Sequence, residues 1–80
     1  MVRWSLLESK IDLNELPAFH RAFLKLNRPE LEADTLPLRR VQQYVSQTLH
    51  SLVQQGKARH LEEDYEVQPE TIPEAYQKLL

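Results

Sequence analysis

The side chains best suited to proton transfer or metal binding near neutral pH are His20, His50 and His60, and they fall in three separate stretches of the chain. None shares a helix with a His or carboxylate at the i, i+4 spacing that builds a metal-binding face, so no metal site is expected. The hydroxyls of Ser5, Ser9, Ser46 and Ser51 lack the strained elbow that exposes a nucleophile. Gly56 is the only glycine, and one glycine cannot make a phosphate-cradling loop. Glu62-Glu63-Asp64 lacks the spaced ligands of a calcium loop and reads as a solvated turn. The expectation is a non-enzymatic protein with no cofactor and no small-molecule substrate.

A different chemistry is concentrated between Arg39 and Lys57. Stepping about 100° per residue places Arg39, Arg40, Gln43, Gln47, His50, Ser51 and Gln54 on one face of a helix, with Lys57 just past its end. These are hydrogen-bond donors and amphoteric groups without one carboxylate, able to meet phosphate oxygens or base edges in a major groove. A plain solvated face also uses Arg and Gln, both good helix formers. The opposite face carries Leu38, Val41, Val45, Leu49 and Leu52, with Tyr44, Thr48 and Val53 on its margins, and must face a core.

The elements that position this face are punctuated by proline, which is excluded from helix interiors and favoured in first turns. Asn14 or Leu16 is expected to cap a helix containing Pro17 that presents Leu16, Phe19, Phe23 and Leu26, ending near Asn27 because Arg28 precedes Pro29. Pro29 to Asp34 reads as one or two acidic turns. Thr35 or Leu36 caps the long helix, Pro37 opens it, and Gly56 ends it as a left-handed residue after about Leu38 to Gln55.

Beyond Gly56 the period becomes alternating, with Leu61, Tyr65 and Val67 among polar residues, which predicts a β-hairpin turning at Glu62-Glu63-Asp64. Thr71-Ile72-Pro73-Glu74 resembles a capping box for a final helix within residues 69–80. Residues 1–13 are ambiguous: Val2, Trp4 and Leu6 alternate like a strand, whereas Ser5-Leu6-Leu7-Glu8 matches a capping box, and a short helix or irregular arm is the favoured reading. Residues 1–80 form one domain.

Eighty residues bury only about 60 to 65% of the surface of the unfolded chain, which leaves no slack for a deep substrate cavity. Hydrophobic residues at 41% and charged residues at 28% predict a packed core. The absence of cysteine removes disulfides and thiolate chemistry and suits a reducing, cytoplasmic setting. No apolar run suits a signal peptide or a membrane span. The net charge of −2 conceals a pattern: residues 39–60 hold four cations and no acid, between acidic flanks at residues 29–38 and 61–80.

The order of a first helix, a short second one, a long third helix and a hairpin resembles the winged helix-turn-helix superfamily. The segment Val45-Ser46-Gln47-Thr48-Leu49-His50-Ser51-Leu52-Val53-Gln54-Gln55-Gly56-Lys57-Ala58-Arg59 carries most of the likeness, since a helix with this leucine spacing ends at a glycine and feeds a strand. The resemblance implies a mainly α fold with a three-helix core, a β-hairpin wing and a short C-terminal helix. It also implies a third helix that reads double-stranded DNA, often as a dimer, in transcription regulation. Here Arg39, Arg40, Gln43, Gln47 and His50 would lead, with Ser51, Gln54 and Lys57 assisting.

The acidic turn 62–64 is expected to stay away from DNA, because phosphate neutralisation supplies most nucleic-acid affinity. No strand that would pair with the wing is identifiable. The resemblance therefore allows a second function, a protein-interaction adaptor that binds no DNA. Trp4 and Tyr76 either complete the core or anchor a partner, and unless the termini pack together their apolar surface would ask for a second subunit.

Overall fold

A computed structural model describes the protein from Met1 to Leu80. Strand β1 (Val2–Arg3) runs into helix α1 (Trp4–Ser9), and a 3-10 turn at Leu13–Glu15 leads to α2 (Leu16–Asn27). Two 3-10 turns, Pro29–Leu31 and Ala33–Thr35, connect α2 to α3 (Leu38–Gln54). The hairpin β2 (Ala58–His60) and β3 (Tyr65–Val67) follows, then a 3-10 turn at Pro69–Thr71 and the short α4 (Glu74–Gln77). The architecture is mainly α with a small antiparallel sheet, in which β3 lies between β1 and β2. Val67 faces Val2 on one side and Ala58 on the other.

The N-terminal segment thus resolves as both expected structures in succession. Its predicted capping box does not form. The Ser5 hydroxyl donates to Asp64 Oδ2 at 2.6 Å, and the Glu8 carboxylate turns to His20, whose Nε2 lies 2.7 Å from Glu8 Oε2. What the sequence does not show is the pairing of β1, two residues long, with β3 of the hairpin.

On α2 the buried face is Phe19, Phe23 and Leu24, while Leu26 is half exposed. The expected stripe was drawn through apolar residues alone. The real one also takes in the half-buried His20 and Asn27, which rotates its centre toward Leu24. Both polar groups are satisfied there: Asn27 Nδ2 donates to the carbonyls of Phe23 at 3.0 Å and Thr71 at 2.9 Å. A buried amide without such partners would cost about 1–3 kcal/mol. The capping near residue 14 also differs, since Asp12 accepts from the Asn14 N–H at 3.3 Å and caps the 3-10 turn instead of α2.

The acidic connection between α2 and α3 is neutralised from within. Arg21 Nη1 donates to the carbonyls of Ala33 at 2.6 Å and Leu36 at 2.7 Å, Lys25 pairs with Asp34 at 2.5 Å, and Arg28 with Glu30 at 2.6 Å. Pro37 itself is the N-cap of α3, one position beyond Leu36 and two beyond Thr35, the caps expected. Thr35 cannot cap, because its hydroxyl donates back to the Glu32 carbonyl at 2.8 Å.

Helix α3 buries Val41, Val45, Thr48, Leu49 and Leu52, while Leu38, expected in the core, begins the helix beyond the core's edge and is exposed. Gly56 ends it with φ +78°, the Lys57 N–H donating to the Leu52 carbonyl at 2.8 Å and the Gly56 N–H to Val53 at 3.1 Å. This is the Schellman pattern, which satisfies carbonyls that a helix end would leave open.

Thr71 does not cap α4. Its hydroxyl donates to the Gln68 carbonyl at 2.7 Å within the preceding 3-10 turn, and Pro73 is the N-cap. The termini do pack together, with Lys10 Nζ donating to the Leu79 carbonyl at 2.9 Å. The core joins Trp4 and Leu7 of α1 to Phe19 and Phe23 of α2, Val41 of α3, Val67 of β3 and Ile72. Burying each such side chain contributes about 1.5–3 kcal/mol. No helix is long and apolar enough to cross a membrane.

Candidate recognition surface on the long helix

The core stripe of α3 dictates which side chains are left outside. With Val41, Val45, Thr48, Leu49 and Leu52 turned inward, Arg39, Arg40, Gln43, Gln47, His50 and Gln54 are all exposed, as is Lys57 beyond the cap. Ser51 is half-buried at the margin of this face. Gln54 Nε2 lies 3.5 Å from His50 Nε2, one helical turn away. The helix brings together every residue expected there, with Ser51 the least accessible.

Six of the ten cations lack a carboxylate partner, and three of those six lie on or just beyond α3. Arg3, Lys25, Arg28 and Arg59 each have a carboxylate partner, at Asp64, Asp34, Glu30 and Glu66 respectively. Arg39, Arg40 and Lys57 have none. They and the intervening glutamines are uncommitted donors, and exposed cations of this kind retain their full field for an approaching anion.

The hairpin turn is not the uniformly solvated tip expected from Glu62-Glu63-Asp64. Glu62 and Glu63 are exposed, but Asp64 is buried. Its carboxylate accepts from the Ser5 N–H at 3.0 Å, the Ser5 hydroxyl at 2.6 Å and the Tyr65 N–H at 2.8 Å, and meets Arg3 Nε at 3.3 Å. Burial works to raise the Asp64 pKa, yet the Ser5 hydroxyl, the two backbone N–H groups and Arg3 outweigh it and hold the carboxyl below its ordinary range. The tip is therefore tied to the start of α1, and the exposed Glu63 lines a cleft with Gln42 and Ser46 of α3.

Between that tip and helices α1, α2 and α3 lies an open cleft of about 390 Å³, with Glu8, His20, Ser46 and Glu63 among its walls. The Glu8–His20 pair forms part of its lining, the imidazole stacked on Trp4 at a ring separation of 6.2 Å. Sequence reading missed both the Asp64 clamp and this pair. The partners are 59 and 12 residues apart and carry no local signature.

Trp4 and Tyr76, considered as partner anchors, occupy different depths. Trp4 is buried, with ring centroids 5.2 Å from Phe19 and 4.7 Å from Phe23. In this fold it completes the core and presents no anchor to a partner. Tyr76 is half-buried, edge-on to Phe19 at 4.9 Å. Comparisons with protein-family models, with curated proteins and with solved structures return no match to this chain.

Proposed function

We propose that the protein is a small, non-enzymatic DNA-binding regulator of the winged-helix type, acting in the cytoplasm, with the outer face of α3 as its recognition element. The observation that carries this reading is the set of three unpaired cations, Arg39, Arg40 and Lys57, bracketing exposed Gln43, Gln47 and His50 on a surface without carboxylates. Cations at both ends of a helix can meet phosphates on the two sides of a major groove while the glutamines and histidine between them face base edges. The order of α2, α3 and hairpin, with β1 pairing to β3, adds support. The tied hairpin tip leaves α3 to act without the wing.

The test is a mobility-shift titration on random duplex DNA at two salt concentrations. Three phosphate contacts give a slope of log K against log salt of about −2.7. No complex even at low salt removes the proposal. A second reading, an adaptor that docks on another protein, is favoured by the exposed carboxylates of Glu62 and Glu63, the latter across a cleft from Ser46 of α3, which repel a polyanion. It expects no shift with DNA.

A further inference from the structure

An exposed apolar surface lies away from α3, where α1 meets the C-terminal segment. Met1, Leu6 and Leu80 are 55%, 54% and 47% exposed and line one hollow of about 290 Å³. A second hollow of about 350 Å³, between Ile11, Ala18 and Tyr76, adjoins it, and the two share Lys10 and Leu79. Scattered exposed leucines are normal on a small protein, but here Met1, Leu6 and Leu80 gather around one hollow of an adjoining pair, which together form the groove.

The charges around the groove select its occupant. Arg3, Lys10 and Lys78 line it against a single carboxylate, Glu15. Arg3 is matched by Asp64, but Lys78 has no carboxylate within ion-pair distance and Lys10 none either, its ammonium donating only to the neutral Leu79 carbonyl. A second copy applied about a two-fold axis would bring this same basic rim against itself. A segment with carboxylates flanking its apolar side chains would be attracted to Lys10 and Lys78.

We propose that this groove is a docking site for an amphipathic helix of a second protein, one that inserts leucine-type side chains and presents carboxylates to Lys10 and Lys78. The groove shares no residue with the outer face of α3, so docking here leaves that face free. Helix-in-groove recognition uses apolar anchors at i, i+3 or i+4 and i+7, and two adjoining hollows suit two successive anchors.

The experiment uses the full chain and two fluorescent synthetic peptides with leucines at i, i+4 and i+7, one with glutamates flanking the leucines and one with lysines. Anisotropy titrations are expected to show the glutamate peptide binding at least tenfold more tightly than the lysine peptide. Leu6→Glu, at an exposed position, abolishes binding, and Lys78→Glu, which removes no hydrogen bond of the fold, reverses the preference. Circular dichroism verifies that both variants remain folded. Binding of neither peptide, equal binding of both, or retained binding by Leu6→Glu overturns the proposal. Sedimentation equilibrium showing a dimer that Leu6→Glu dissociates also overturns it, because the occupant is then a second copy.

Discussion

Ser5 holds Asp64 by both of its donors: the hydroxyl reaches Oδ2 at 2.6 Å and the backbone N–H reaches Oδ1 at 3.0 Å. A carboxylate 59 residues away in the chain thereby does the work of a helix cap, accepting an N–H from the first turn of α1 where a negative charge is favoured. Asp64→Ala is expected to lower stability by about 2–3 kcal/mol, the usual scale for hydrogen bonds to a buried charge, as read from urea unfolding.

The same carboxylate makes stability depend on pH. Its pKa is lowered in the folded state, so its contribution is fully present above the ordinary value near 3.8 and is lost as pH falls through the lower folded value. Unfolding free energy measured from pH 6 to pH 2 is expected to fall less steeply in Asp64→Asn than in the parent. Parallel curves across that range would show that Asp64 contributes no acid sensitivity.

Thr48 is buried in the core face of α3, and its hydroxyl has no hydrogen-bond partner. Valine fills nearly the same volume without an unsatisfied polar atom. Thr48→Val is expected to raise stability by about 1 kcal/mol, seen as a higher thermal midpoint. A lower midpoint would mean that the hydroxyl contributes to the fold.

Gly56 has φ +78°, and a Cβ placed there would meet nothing within 4 Å. The cost of Gly56→Ala is therefore conformational alone, about 1 kcal/mol. Gly56→Asn, which tolerates the left-handed region better, should lose less by chemical denaturation.

If α3 binds DNA through its unpaired cations, Arg39→Ala with Arg40→Ala leaves one phosphate contact of three. The salt slope should then fall from about −2.7 to about −0.9, with weaker binding to every sequence. Gln47→Ala instead should leave the slope unchanged and alter only the preference among duplexes.

Elements whose stability is local were legible in the sequence. The span of α3, the left-handed Gly56 and the hairpin turn follow from periodicity, a single glycine and alternating residues, all read within a few positions. Features that depend on distant partners were not. Strand β1 exists because Val2 finds Val67, and Leu24 replaces Leu26 in the core because His20 and Asn27 find partners on other elements. Asp64 was read with Glu62 and Glu63 as part of a solvated turn because nothing in its neighbourhood announces Ser5. The outer face of α3 was legible apart from the depth of Ser51, because an amphipathic helix determines its outside by its inside; on the inner face Leu38 falls beyond the core and Thr48 within it.

The pairing of Val2 with Val67 also bears on how the chain reaches this state. The helices and the hairpin can form from near neighbours, but the third strand of the sheet can be added only after nearly the whole chain has been brought around. Closing so large a loop is slow relative to local structure. The Asp64 clamp closes with it, so α1 gains its cap at the same late stage. Helices α2 and α3 with the hairpin are then expected to form first, and β1 and α1 to dock last.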